Sequence, residues 1–390
     1  MNTKFAQTDV LIVGGGPAGL AAAIALRDRG ASVTVADAMK TPIDKACGEG
    51  LMPDSLHELE KLGVSLSPRD GAAFHGIRFK SEGTIATARF PSGTGIGVRR
   101  QILHARLIAR AEEAGVKLRW ESPVQLRARG RVEIAGEAQV FGQLIGADGQ
   151  ASQVRRWAGL ERGSAAVKRF GFRRHFQVKL WSPFVEVYWG KSGQAYVTPT
   201  GPNEVCVAIV TRDPQCRLAE ILDELPELRA KLGGARFCYM DAERGALTTT
   251  RRFDRIVRGR VALVGDASGS ADAITGEGIG MAFRQALLLA DCLENGNLGR
   301  YNRLHGETLD LPQTMARILL SMDRWSGLRR RVVTMLARNP ALFNRMLGMH
   351  LGIESPLHFV STKGLEVAWR LAIALSDEPS LQTRQAIQEN

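Results

Sequence analysis

Asp9-Val10-Leu11-Ile12-Val13 runs directly into Gly14-Gly15-Gly16-Pro17-Ala18-Gly19, and this join decides the fold. Four unbroken apolar residues after one aspartate predict a short buried strand. Leu20 to Leu26 are strong helix formers, and Ser32 to Ala36 predict a second strand that ends at Asp37. Strand, G-x-G-x-x-G, helix, strand and acid is the order of a dinucleotide site. Gly14 permits the tight turn, Gly16 lets backbone approach a pyrophosphate, and Gly19 lets helix pack closely on strand. The helix N-terminus presents free N–H groups and about half a positive charge to phosphates. Pro17 and Ala18 stand in that first turn. Asp37 is placed to accept ribose hydroxyls, and its charge disfavours a bound 2′-phosphate.

Working outward, three further motifs follow in order. Gly97-Val98-Arg99-Arg100-Gln101-Ile102-Leu103 opens a helix predicted to run to Gly115. Leu144-Ile145-Gly146-Ala147-Asp148-Gly149 precedes Ser152 and Arg155. Val261-Ala262-Leu263-Val264-Gly265-Asp266-Ala267 is a buried strand entering a turn. It leads to Gly276-Glu277-Gly278-Ile279-Gly280 and a helix predicted from Met281 to Leu293.

In these motifs the sequence resembles the flavoprotein hydroxylase superfamily: p-hydroxybenzoate hydroxylase-like monooxygenases, flavin halogenases and geranylgeranyl reductases. The resemblance covers about residues 8 to 295. It implies an α/β fold, a Rossmann-type FAD-binding domain with an inserted β-rich substrate domain and a helical C-terminal region. It also implies that FAD is the cofactor. Arg100 matches the arginine that contacts the cofactor phosphates. Asp148 and Gly149 match the Asp-Gly motif that supports FAD and pyridine nucleotide binding. Asp266, after Gly265, matches the carboxylate on the ribityl chain. Gly276, Gly278 and Ile279 match the loop at the isoalloxazine ring, and Val124 is counted with the cofactor contacts. The sequence departs from the family at His104, where aspartate is usual, and at Ala273-Ile274-Thr275, where proline is common. Aspartates at such turns also serve as caps. A second G-x-G-x-x-G is not visible, so NAD(P)H is expected as a transient electron donor over the flavin.

Lys45-Ala46-Cys47-Gly48-Glu49-Gly50-Leu51 resembles the Cys-Gly-x-Gly-Leu segment of geranylgeranyl reductases, which lies alongside the flavin. That nominates Cys47 as a flavin-side residue and as a proton donor; the bland reading is a small filler at a glycine turn. Strands are predicted over Val185–Gly190, Gln194–Pro199 and Glu204–Val210. Arg173, Arg174 and His175 precede them. They offer anion steering, or an acid in His175, against the commoner reading of solvated edge-strand charges. The tryptophan-rich halogenase signature is absent. The seven histidines are dispersed without carboxylate or thiol partners at ligand spacing, so no metal is expected.

Composition narrows the classes. Five cysteines without a Cys-x-x-Cys pair argue against a disulfide framework or zinc site and fit a reducing cytoplasm. Neither a signal peptide nor a spanning segment is read. Net charge is +12, and arginines concentrate at Arg317, Arg324, Arg329, Arg330, Arg331, Arg338 and Arg345. No nucleic-acid signature accompanies them. The partner expected is a hydrophobic small molecule; the oligomeric state is not readable.

The expected organisation is a discontinuous FAD-binding domain (1–70, 98–165 and 256–300) interrupted by a substrate domain (71–97 and 166–255). A helical region, 301–390, follows, with breaks at Pro312, Pro340 and Pro356. Its Leu, Met and Arg stretches either cover the pocket or meet a membrane surface; packing is the commoner use of an apolar stripe. The leading expectation is an NAD(P)H-dependent monooxygenase acting on an aromatic or polyketide-like molecule through a flavin C4a-hydroperoxide. The alternative is a geranylgeranyl-reductase-like enzyme reducing a carbon–carbon double bond. A non-catalytic flavin-binding protein ranks third.

Overall fold

Asp9–Val13 lies inside a six-stranded sheet of the computed structural model, which describes residues 9–127, 132–165, 168–233, 236–237 and 243–354. Strand order is Val257–Arg258, Val261–Leu263, Gln143–Gly146, Asp9–Val13, Ser32–Ala36, Lys117–Arg119. All neighbours are parallel except the hairpin edge at Val257–Arg258. A parallel sheet needs helices on its faces, and Pro17–Arg27 provides one. From Leu20 to Leu26 every side chain of that helix is buried, which explains its all-round apolar sequence. Helices Gly278–Glu294 and Arg100–Glu113 both pack against it.

The second large sheet is built on the three predicted strands. They form Val185–Trp189, Gly193–Gly201 and Glu204–Thr211, joined antiparallel. Gly76–Ser81 adds in parallel beside Val185–Trp189, followed by Thr84–Arg89. On the far side stands Arg169–Gln177, paired with both Glu204–Thr211 and Arg244–Thr248. It is therefore an interior strand. This corrects the reading of Arg173 and His175 as solvated edge charges: they are 2% and 1% exposed.

Helices Leu298–Arg324, Ser326–Arg338 and Pro340–His350 close over this sheet. Met315, Met322, Val333, Leu336, Phe343 and Leu347 share one core with Phe74, Phe79, Val187 and Trp189. Phe79 sits between Trp189 and Phe343, with ring centroids 4.9 Å from each. The predicted break at Pro312 is corrected, because Pro312 is buried inside a helix that continues to Arg324. Burying Leu309, Met315, Ala316 and Met322 on the same helix outweighs the roughly 3 kcal/mol cost of an interior proline. Pro340 does start a helix, and Pro356 lies outside the described residues. Among the described residues no helix is long and apolar enough to cross a membrane.

Candidate active site

One cavity of about 800 Å³ runs between the two large sheets and under the C-terminal helices. At one end the glycine turn forms its wall. Gly14 adopts φ +109°, and a Cβ there would meet Ala147 O at 2.5 Å. A Cβ on Gly19 would come within 1.9 Å of Gly14 O, so only glycine lets the helix approach the strand. Gly16 differs: nothing lies within 4 Å of the place its Cβ would take. That glycine borders open cavity, as do Gly276 and Gly278.

Two helix N-termini point into this end. Helix Pro17–Arg27 begins behind Gly16 with no side-chain cap, and Gly278–Glu294 begins behind Glu277 with none. Helix Gly278–Glu294 thus starts three residues before the predicted Met281. Its first amides are free for a ligand because its first backbone bond is Met281 N–H to Glu277 O. Gly276 takes the left-handed conformation, φ 72°, which turns the chain into that helix.

The acidic and basic candidates are distributed around the same cradle. Asp37 accepts from the amides of Gly15 at 2.6 Å and Met39 at 2.8 Å, and it lines the cavity. Arg100 also lines it, and its Nε is buried with no partner among the described residues. Asp266 faces Lys45 at 3.7 Å on the cavity wall. The carboxylate of Asp148 accepts from Ser152 Oγ at 2.5 Å and from the amides of Gln153 and Val154. It caps helix Gln153–Trp157, which is the capping alternative weighed for it, while Asp148 and Gly149 still border the cavity. Pro17, Ala18, Val124, Gly265, Ile279 and Cys47 border it too.

His104, the departure from aspartate, explains itself. It receives the Ile43 amide on Nδ1 at 3.2 Å, so Nε2 carries the proton and donates to Gly15 O at 2.8 Å. Burial pushes its pKa down, keeping the ring neutral. It ties the 40s loop to the glycine turn.

Behind Cys47 lies a buried charge network that the sequence reading missed. Glu49, with left-handed φ 59°, accepts from the Arg100 amide at 2.9 Å and from His175 Nε2 at 2.5 Å. Arg173 pairs with Asp44 and lies 3.6 Å from Glu49. Arg173 only donates, so its 3.2 Å contact to His175 Nδ1 puts the histidine proton on Nε2, aimed at Glu49. His175 does not line the cavity. In the structure its Nε2–H is committed to Glu49. The expectation that no histidine has ligand-spaced partners is corrected. Glu49, His175 and Cys206 bring ligand atoms within 4.8 Å of one another, although Glu49 and His175 are already engaged with each other.

Residues 7–296 match the FAD binding domain family. The chain belongs to that family. It is 28% identical over 334 residues to the menaquinone reductase of Mycolicibacterium smegmatis, covering 77% of this chain and 79% of that one. It is 26% identical to digeranylgeranylglycerophospholipid reductase 3 of Methanosphaera stadtmanae, covering 74% and 77%. A solved flavoprotein/dehydrogenase from Cytophaga hutchinsonii superposes with a TM-score of 0.77 at 18% identity, covering 95% of this chain and 100% of that one. This protein is an FAD-dependent oxidoreductase with the α/β, Rossmann-type architecture of the p-hydroxybenzoate hydroxylase-like flavoproteins. Its residues fit the cofactor: open glycine backbone, two uncapped helix ends and the unpartnered Arg100 Nε all border one continuous cavity.

Proposed function

We propose that this protein is an FAD-dependent reductase that saturates a carbon–carbon double bond in a long apolar substrate of isoprenoid type. The observation that carries this reading is the second half of the cavity. Beyond the cradle its wall is made of Met52, Phe74, Phe79, Val187, Tyr196, Met315, Leu319, Met322, Phe343 and Leu347. Such a chamber takes a chain-like hydrocarbon by burial alone, at about 25 cal/mol per Å². The two sequence relatives named above are reductases, which favours saturation over the oxygen transfer expected from the motifs.

FAD, when bound and reduced, supplies the electrons for such a reaction. Gly14, Gly16, Arg100 and the two helix ends would hold its phosphates, with Gly19 letting the first helix approach its strand. Asp37 and Asp266 would hold its hydroxyls, and Gly276, Gly278 and Ile279 would border its ring. The C-terminal helices exclude water from the chamber. Cys47 lines the cavity on the Lys45–Gly50 segment and receives the Glu49 amide on Sγ at 3.4 Å. This contact aims the thiol, and we assign it delivery of a proton to the substrate carbon. Glu49, fixed by Arg173 and His175, positions that segment. NAD(P)H is the proposed donor, binding transiently.

Anaerobic turnover with a polyprenyl substrate is expected to proceed at an undiminished rate and give a product two mass units heavier, from two added hydrogens. Strict dependence on oxygen, with an oxygenated product, would reverse the reading. Cys47→Ala is expected to lower kcat by roughly 10²–10⁴ while FAD content stays unchanged. An unaltered kcat in the yellow variant would remove the thiol from proton delivery.

A further inference from the structure

The apolar chamber is blind at one end, and the register of its three neighbouring strands shows where. Val185 and Thr198 stand beside Gly50, at the end of the Lys45–Gly50 segment: a Cβ on Gly50 would lie 3.7 Å from Val185 Cγ2 and 3.6 Å from Thr198 Cγ2. Ile77 pairs with Val185, and all three line the cavity. Side chains alternate across a strand, so the next ones on that face are Phe79, Val187 and Tyr196, about 7 Å further on. They are in register with one another and line the cavity too. The level after that is Ser81, Trp189 and Gln194, and none of these borders the cavity. All three strands lose it at the same step.

The stop at that step is aromatic. The Phe79 ring stands edge-on to Trp189 and leans on Phe343 of helix Pro340–His350, so sheet and helix are bridged at this level. Behind the rings the floor is polar and already engaged. Ser81 Oγ accepts from Arg329 Nε at 3.2 Å. Gln194 Oε1 accepts from Arg169 at 2.5 Å, and the Gln194 amide donates to Asp323. A hydrocarbon pushed past Phe79 would have to part these buried bonds and leave their groups unpaired. The opposite way is open, because Ile318 lines the cavity and is 44% exposed.

We propose that Phe79, backed by Trp189 and Phe343, sets the length of apolar chain that the chamber holds beyond the Lys45–Gly50 segment. Phe79 is thus a specificity-determining residue that touches no reacting atom. That the chain is a substrate rests on the reductase reading; the stop itself is a property of the chamber and is read by binding alone.

The test is equilibrium dialysis of the oxidised, FAD-loaded protein against trace labelled straight-chain primary alcohols, from octanol to tetradecanol, with no electron donor present. In wild type, affinity is expected to rise roughly fourfold per added methylene until the chain meets the rings, and then to level off. Phe79→Ala is expected to move that break to alcohols longer by a few methylenes. Phe79→Leu and Phe343→Leu, which keep more of the packing, are expected to move it the same way by less, and they carry the test if the alanine variant does not fold. Val187→Phe, which narrows the same level, moves the break to shorter alcohols. Ile318→Ala, at the open side, leaves it in place. A wild-type series without a break, or a break that stays put in folded, FAD-loaded Phe79 and Phe343 variants, overturns the stop and leaves the apolar chamber standing. Wild type that binds none of the alcohols overturns the chamber and the stop together.

Discussion

Gly16→Val is expected to give a folded, colourless protein, and Gly19→Val to give no stable fold at all. The two positions are three residues apart in one turn, yet they face different things. Gly16 already has an ordinary φ of −69°, and its missing side chain would enter empty cavity. The protein tolerates valine there; the cofactor phosphates do not. Overpacking of about 3 kcal/mol corresponds to roughly a hundredfold loss in FAD affinity. At Gly19 the added Cβ would sit 1.9 Å from the carbonyl oxygen of Gly14, which is backbone and cannot step aside. Gly14 cannot yield either, being pinned at φ +109° with its amide on Ala36 O at 2.9 Å. Helix Pro17–Arg27 would have to leave the sheet and expose its buried face, a loss above about 4 kcal/mol. Circular dichroism and flavin absorbance of the purified variants check both. A yellow Gly16→Val protein with native FAD affinity would mean that phosphates do not approach this turn.

The glycine turn was legible because its information is local. Six consecutive residues fix the turn, the open backbone and the helix start, and Asp37 follows on the next strand. The same holds for the Asp266 and Gly276–Gly280 segments, whose order along the chain requires them to return to one cofactor. What was not legible depends on distance along the chain. Glu49 and His175 are 126 residues apart, and nothing beside either one marks them as partners. The strand Arg169–Gln177 looked like an edge because it carries Arg173, Arg174 and His175. A charged strand becomes an interior one only when its countercharges, Asp44 and Glu49, arrive from another part of the chain. Pro312 misled for a similar reason: local backbone chemistry predicts a break, and tertiary burial of the helix face overrides it. Glu277 was quoted within its motif, but its facing His350 comes from a helix 73 positions away, beyond any local signal.

Arg173→Met is expected to destabilise the holoprotein by about 3–5 kcal/mol, the second large effect, and to loosen the Cys47 segment at the same time. Arg173 is the cation among three buried groups, Asp44, Glu49 and His175, and it is itself 2% exposed. Methionine matches its stem but leaves two carboxylates in a poorly solvated interior. Asp44 retains Arg244, half exposed, at 3.0 Å. Among the described residues Glu49 retains the His175 ring and the Arg100 amide, neither of them a fixed cation. His175 in turn loses the donor that fixed its tautomer, so its proton is no longer committed to Glu49. Because Glu49 also carries the amide that meets Cys47 Sγ and the carbonyl that accepts from Val98 N at 2.8 Å, the disturbance reaches the cavity wall. Denaturant unfolding should therefore show the lower midpoint, and thiol-reactive labelling of Cys47 should accelerate in the same variant. A protein of unchanged stability with unchanged labelling would mean that this network does not hold the Lys45–Gly50 segment against the flavin.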